Sequence, residues 1–214
     1  MTFDIPATLS PRCASIVSMT TRPSSFAIDV PDPLLARMRL GERAAFEQLY
    51  RHFERPVYTL ALRICGEREQ AVEVLQETML KVIGRIGDFR GGDGPFWGWL
   101  RQIAVNESLM TLRRQRRSGD ELSQADGVEP IDEHTPPPSA AADAALLQRA
   151  LETLPATTRT VLWLYHAEGY THEEIAALME RTPSFSKSQL ARGIRRLREQ
   201  LEPAIVDLRE VAHA

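Results

Sequence analysis

Apolar residues recur at helical spacing along most of the chain. In residues 34–53, Ala45, Leu49 and Phe53, with Phe46 beside them, mark one face of an amphipathic helix that Gly41 interrupts early. Pro56 suits the opening of a second helix carrying Val57, Leu60, Ala61 and Ile64, which Gly66 stops. A third is predicted from about Arg68 to Ile86, with Val74, Leu75, Thr78 and Val82 inward. On its solvent edge Glu69, Glu73 and Glu77 stand four apart, with Gln76 beside them. Residues 87–99 hold Gly87, Gly91, Gly92, Gly94 and Pro95, which predict a flexible loop edged by Phe89, Phe96, Trp97 and Trp99. Trp99, Leu100, Ile103 and Ala104 begin a further helix, ending in the bunched Arg113, Arg114, Arg116 and Arg117.

The pattern then lapses. Residues 119–145 carry Asp120, Glu121, Asp126, Glu129, Asp132, Glu133 and Asp143, no Lys or Arg, and the run Pro136, Pro137, Pro138. This is a linker extended by charge and proline. It is either a plain solvated tether or an acidic mimic of nucleic acid. A short helix follows from Ala145 to Leu154, then a second over Arg159–His166 with Val161, Leu162, Leu164 and Tyr165, ended by Gly169. Thr171 and Glu174 form a capping box for a helix carrying Ile175, Ala176 and Met179. Thr182 can cap the next helix and Pro183 suits its first position; Leu190, Ile194 and Leu197 form its apolar stripe. Two helices joined by so short a turn read as a helix-turn-helix. The second carries Lys187, Arg192, Arg195, Arg196 and Arg198 with no acidic residue until Glu199, as a helix entering the major groove between phosphates requires. The fold class is therefore all-α: two small helical domains, 33–118 and 144–202, joined by the acidic, proline-containing linker 119–143. Residues 1–32 form a flexible extension and 203–214 a tail.

Composition narrows the function. The chain has 214 residues, 43% hydrophobic and 26% charged, with a net charge of −3, so most of it should fold and it is no uniformly basic nucleic-acid coat. No apolar run suffices to span a membrane. Cys13 and Cys65 make neither a disulfide framework nor a metal site, which suits a reducing cytoplasm. His52, His134, His166, His172 and His213 show no HExxH spacing, and no phosphate-binding GxxxxGK loop occurs. The chain reads as non-catalytic, with no cofactor. Its acidic edge is either helix support through a Glu77–Lys81 pair or a docking face for a basic protein surface. The aromatic loop and the arginines after it suit melted single-stranded DNA; alternatively the tryptophans are core and the arginines complement the helix end.

These motifs, in this order, resemble the extracytoplasmic-function (group IV) sigma factors of bacterial RNA polymerase. The residues that carry the resemblance are RAAFEQLY at 43–50, ALRICGEREQAVEVLQETMLKV at 61–82, IGDFRGGDGPFWGWLRQIAVN at 86–106 and LRRQRR at 112–117. In the second half they are LETLPATTRTVLWLYHAEGYTHEEIA at 151–176, against the family's G.SY.EIA and GTVKSRL elements. The resemblance implies roles. Glu73, Gln76 and Glu77 match positions that dock on the polymerase clamp helices, and the second domain is expected at the beta flap. Phe89, Arg90, Phe96 and Asn106 match the part that captures the −10 element, and Arg113, Arg114, Arg116 and Arg117 its basic grip. Lys187, Ser188, Gln189, Arg192, Arg195 and Arg196 match the −35 reading helix. An anti-sigma factor is an implied partner, besides double- and single-stranded promoter DNA. The departures are Gln70 in place of Asp, Val72 in place of Glu, Val105 where Arg is frequent and Met110 in place of Asp in the first half, and in the second Ser184, Phe185 and Ser186 in place of Gly-Thr-Val, Gln189 in place of Arg, and Glu180 in place of the turn glycine. The competing reading is a helix-turn-helix regulator that binds duplex DNA without the polymerase.

Overall fold

The computed structural model describes residues 24–91, 94–117 and 138–211, and among these it contains eight α-helices and no strand. They are α1 (Asp32–Arg39), α2 (Arg43–Cys65), α3 (Arg68–Arg85), α4 (Phe96–Arg117), α5 (Pro138–Glu152), α6 (Ala156–His166), α7 (His172–Met179) and α8 (Pro183–Val211). A 3₁₀ turn, Ile86–Asp88, ends α3. Helices α2, α3 and α4 pack on one another, α1 lies against α2, and α5–α7 gather around α8.

The elements form largely where the periodicity places them. Gly41 and Gly66 adopt left-handed φ of 78° and 87° and separate α1 from α2 and α2 from α3. The capping box is complete: Thr171 Oγ1 accepts from Glu174 N at 3.2 Å, and Glu174 Oε2 accepts from Thr171 N at 2.7 Å. Thr182 Oγ1 caps α8 by accepting from Phe185 N at 3.3 Å. The turn before it is closed by Glu180 at φ 54° and ψ 47°, a left-handed position that costs a residue with a Cβ about 1–2 kcal/mol.

Four expectations are corrected. Pro56 opens no helix; it lies inside the continuous α2. The stripe Leu49, Phe53, Val57, Leu60 and Ile64 is buried along both sides of it. At ~1.5–3 kcal/mol per side chain, that burial outweighs the ~3 kcal/mol an interior proline costs. The leader is not loose to residue 32: Phe26, fully buried, packs against Phe53 with ring centroids 6.5 Å apart, and Val30 is buried too. Residues 1–23 lie outside the described residues, as do 118–137 of the linker. Helix α5 begins at Pro138, seven residues before the predicted start, because proline fits the first helical turn. Lys81 does not pair with Glu77. Its ammonium reaches Glu107 on α4 at 2.6 Å, where a nearly buried carboxylate has the greater need of a cation.

The two helical domains share one apolar core. Val161, Leu164, Tyr170 and Ile175 from α6, α7 and the turn between them belong to the same buried cluster as Leu49, Phe53, Leu100 and Ile103. A second cluster, Ala150, Leu154, Leu162, Leu197 and Leu201, ties α5 and α6 to α8. At Gly193 an added Cβ would stand 2.7 Å from Leu162 Cδ1 and 2.8 Å from Thr158 Cγ2, so α8 touches α6 nearly backbone to side chain. Gly193→Ala should cost about 1–3 kcal/mol of stability, whereas Gly84→Ala, in open space on α3, should add about 0.5–1 kcal/mol. Urea denaturation of the two variants checks both signs.

Candidate nucleic-acid interface

The outward face of α3 carries Glu69, Glu73, Gln76 and Glu77, all exposed. Between them stand Val72, Leu80 and Ile83, exposed at 43%, 61% and 46%. The predicted acidic edge is therefore a mixed acidic and apolar strip. Sequence reasoning noted Val72 only as a replacement for Glu and missed Leu80 and Ile83, although positions 72, 80 and 83 fall outside the buried stripe of Ala71, Val74, Leu75, Thr78 and Val82. Glu73 is already engaged, with one oxygen 3.2 Å from Arg114 Nη2.

The glycine loop leads from this strip to α4. Phe89 is half-buried, its ring edge-on to Phe96 at 5.2 Å and tilted against Trp99 at 5.6 Å. Phe96 is only 4% exposed and rests on Phe53, so it cannot stack on a base; it supports Phe89 from below. Trp97 and Trp99 are half-buried against the core. The Phe89 carbonyl accepts from Arg39 Nη2 at 2.9 Å, which anchors the start of the loop to α1. Gly91 and Gly94 are exposed and hold φ of 73° and 123°, with no atom of the described residues within 4 Å of their missing Cβ positions. Arg90 is exposed beside them.

The bunched arginines do not act as one patch. Arg113 turns to the second domain, donating to the Leu178 carbonyl at 2.9 Å and pairing with Glu180 at 3.2 Å. That pair offsets part of the strain at Glu180. Arg114 turns the other way, to Thr111 and Glu73. Arg117 is exposed, and the Arg116 side chain lies outside the described residues. Asn106 is exposed in a cleft of about 610 Å³ between α4 and α7, lined also by Gln102, Met110, Tyr170 and Leu178.

On α8, Lys187, Ser188, Arg192, Arg195 and Arg196 all face solvent, as predicted for a phosphate- and base-facing surface. Gln189 does not join them. It is half-buried, and its Oε1 accepts from Thr158 Oγ1 at 2.7 Å. Ser186 is fully buried and its Oγ lies 2.9 Å from His172 Nδ1. Burial, with the Lys187 ammonium nearby, holds His172 below the usual imidazole range.

Between the domains lies a polar node. Arg101 on α4 donates to the Glu168 carbonyl at 2.7 Å and stands 3.7 Å from its carboxylate. The guanidinium sits 5.4 Å from the centre of Trp97 and 4.8 Å from that of Tyr170. Glu168 also accepts from Ser24 Oγ at 3.2 Å. Nearby, Arg63 lies 4.1 Å over the Trp163 ring. Burial pushes the Glu168 carboxyl above the usual range, against the pull of Arg101 and Ser24. Elsewhere, between α2 and α3, the Cys65 thiol is buried with Ala61, Leu62, Ala71 and Val74 and is pushed up to about 12 by desolvation, which keeps it an unreactive core thiol.

Comparison with known proteins bears on these surfaces. Residues 49–118 match the family model of Sigma-70 region 2, and residues 144–197 that of Sigma-70, region 4. The RNA polymerase sigma-H factor of Pseudomonas aeruginosa is 28% identical over 182 residues, spanning 80% of this chain and 94% of that protein. The ECF RNA polymerase sigma factor SigM of Mycobacterium tuberculosis is 32% identical over 164 residues, spanning 77% of this chain and 81% of that one. Among solved structures, the sigma factor RpoE in complex with the anti-sigma factor NepR from Bartonella quintana aligns with a TM-score of 0.51 at 26% identity, covering 73% of this chain and 96% of that one.

The interdomain node makes stability depend on pH. A carboxyl whose folded pKa is raised contributes fully below its unfolded range and loses that contribution as pH rises through the raised value. From about pH 4 upward, the wild-type protein should lose stability relative to Glu168→Gln, measured by urea unfolding at each pH. Parallel profiles would mean that the carboxyl is not desolvated.

Proposed function

The chain belongs to the extracytoplasmic-function group of sigma-70 factors, and from that membership we propose which of its surfaces meets the polymerase and which the promoter. It is a sigma factor that directs transcription initiation. The observation that carries the finer reading is the exposed acidic and apolar strip on α3, standing beside an open glycine loop in one domain, with an exposed cationic helix in the other.

Gln76, Glu77 and, once released from Arg114, Glu73 complement the basic clamp helices of core polymerase, while Val72, Leu80 and Ile83 supply the apolar contact that charge alone lacks. The second domain meets the beta flap. Phe89, at the mouth of the glycine loop, stacks on an unpaired −10 base, and Arg90, Asn106 and Arg117 hold the strand. Unstacking costs a few kcal/mol per base, and aromatic stacking returns ~1–3 kcal/mol, so melting needs no ATP. Lys187, Ser188, Arg192, Arg195 and Arg196 read and grip the −35 duplex. Residues 118–137 can reach roughly 70 Å at ~3.4 Å per residue, enough to separate the two regions along a promoter. The protein works in the bacterial cytoplasm, and among the described residues no helix is long and apolar enough to cross a membrane. An anti-sigma factor is a further partner, supported by the similar sigma factor solved with one. A polymerase-independent regulator would leave the α3 strip and the aromatic loop without a role.

Two outcomes test this. Glu77→Lys, which breaks no hydrogen bond or ion pair among the described residues, should weaken binding to core polymerase about tenfold or more, ~1.4 kcal/mol, in a fluorescence titration; unchanged affinity removes α3 from the interface. Replacing Gly91 and Gly94 by valine should leave core binding intact yet slow promoter melting at least about tenfold, followed by 2-aminopurine in the −10 element. A template already mismatched there should recover most of the lost activity.

A further inference from the structure

We propose that Thr158, Gln189, His172 and Ser186 are positioning residues that fix the pose of α8, so that −35 preference is set partly by side chains that never touch DNA. This rests on the reading of α8 as the −35 helix.

Positions 186, 189 and 193 lie on one stripe of α8, the stripe facing α6 and α7. Each makes a different kind of fixed contact. Gly193 lets the α8 backbone approach within contact of Thr158 and Leu162, which limits sliding and separation. Gln189 is held by the Thr158 hydroxyl at 2.7 Å, and Thr158 itself is only 4% exposed. Ser186 is held by His172 at 2.9 Å, and the His172 ring is stacked on Tyr165 of α6 at 4.7 Å and 19°. The rest of the helix surface, from the flanks at Lys187 and Arg196 to the outer side at Ser188, Arg192 and Arg195, is exposed.

Apolar contacts are not directional, and a helix resting on them alone tolerates small rotations about its axis. Hydrogen bonds weaken steeply with angle. At a side-chain radius of about 6 Å, a rotation of roughly 30° displaces a tip by about 3 Å, the length of a hydrogen bond. Two directional ties one turn apart therefore define which base edges the exposed surface meets. The two ties also account for departures from the family pattern. Ser186 stands at the usual Val and offers a hydroxyl to His172 where Val would offer only methyl groups. Gln189 stands at the usual Arg and its amide oxygen accepts from the Thr158 hydroxyl; a guanidinium, which has no acceptor, could meet that hydroxyl only as a donor. Gln189 is thus removed from direct base reading and acts through the pose of its neighbours.

The test is selection of promoters from a −35-randomised library by reconstituted holoenzyme. Thr158→Val removes the hydroxyl at a site that cannot reach DNA, and should shift the selected −35 sequence and reduce discrimination against single-base changes about tenfold. Thr158→Ser, which keeps the hydroxyl, should restore the wild-type preference. Gln189→Ala should give the same shift, and the double variant no more than either single one. Core binding should stay at the wild-type level throughout, which separates loss of pose from loss of fold. If Gln189→Ala shifts the preference and Thr158→Val does not, Gln189 reads bases directly and the proposal is overturned. The same follows if all variants select the wild-type sequence. A wild-type holoenzyme that selects no −35 sequence would instead overturn the assignment of α8, and this inference with it.

Discussion

The packing of the two domains against each other has to accommodate Arg101 and Glu168 between them. Neither group has free access to water: their side chains are 19% and 4% exposed. Removing two such ions from solvent is costly, and their mutual attraction returns that cost only with good geometry and further partners. The partners are present, in the Ser24 hydroxyl, the Glu168 carbonyl and the faces of Trp97 and Tyr170. They are not complete, since among the described residues Arg101 Nε is buried with no acceptor, as is Arg159 Nε at the α6 contact with Gly66. Each such omission costs about 1–3 kcal/mol, comparable with what Val161 or Leu164 gains by burial in the shared core. Apolar packing thus holds the domains together while the polar groups work partly against it.

Much of this was legible from the sequence. Helical spacing located the buried faces of α2, α3 and α7, and short-range chemistry located the capping box and the glycine stops, because both depend on residues within one or two turns. The order of the motifs gave the family. What was not legible depends on partners distant in sequence. Pro56 reads locally as a helix start, and only the apolar neighbours it meets on other elements keep α2 continuous. Phe26 lies in a stretch of proline, serine and threonine that looks loose until Phe53 is placed beneath it. Lys81 has a suitable carboxylate four residues away and yet serves Glu107 across a helix interface.

The site residues follow the same rule. Charge type identified which helices are involved, since exposed arginines on α8 and carboxylates on α3 are where the pattern puts them. It did not reveal orientation. Arg113 and Arg114 are adjacent in sequence and about 100° apart around the helix, which sends one to Glu180 and the other to Glu73. Phe89 and Phe96 both look like stacking rings, but the helix that begins at Phe96 turns that ring inward. Gln189 offers the donor and acceptor a base edge needs, and the fold gives its acceptor to Thr158.

Closure has a thermodynamic consequence for every encounter the molecule makes. The two domains act as ligands for each other, and Arg113 illustrates it by giving its donors to Leu178 and Glu180. A partner that needs the domains apart sees only the open fraction of the population, and its apparent affinity is its intrinsic affinity scaled by that fraction. A closing free energy of about 2.8 kcal/mol would weaken such a partner about a hundredfold. A partner that grips both domains as they stand meets no such discount. The contacts of α2 and α4 with α6, α7 and the Glu168 turn would therefore set the relative strength of two such kinds of binding, without any residue having to touch either partner.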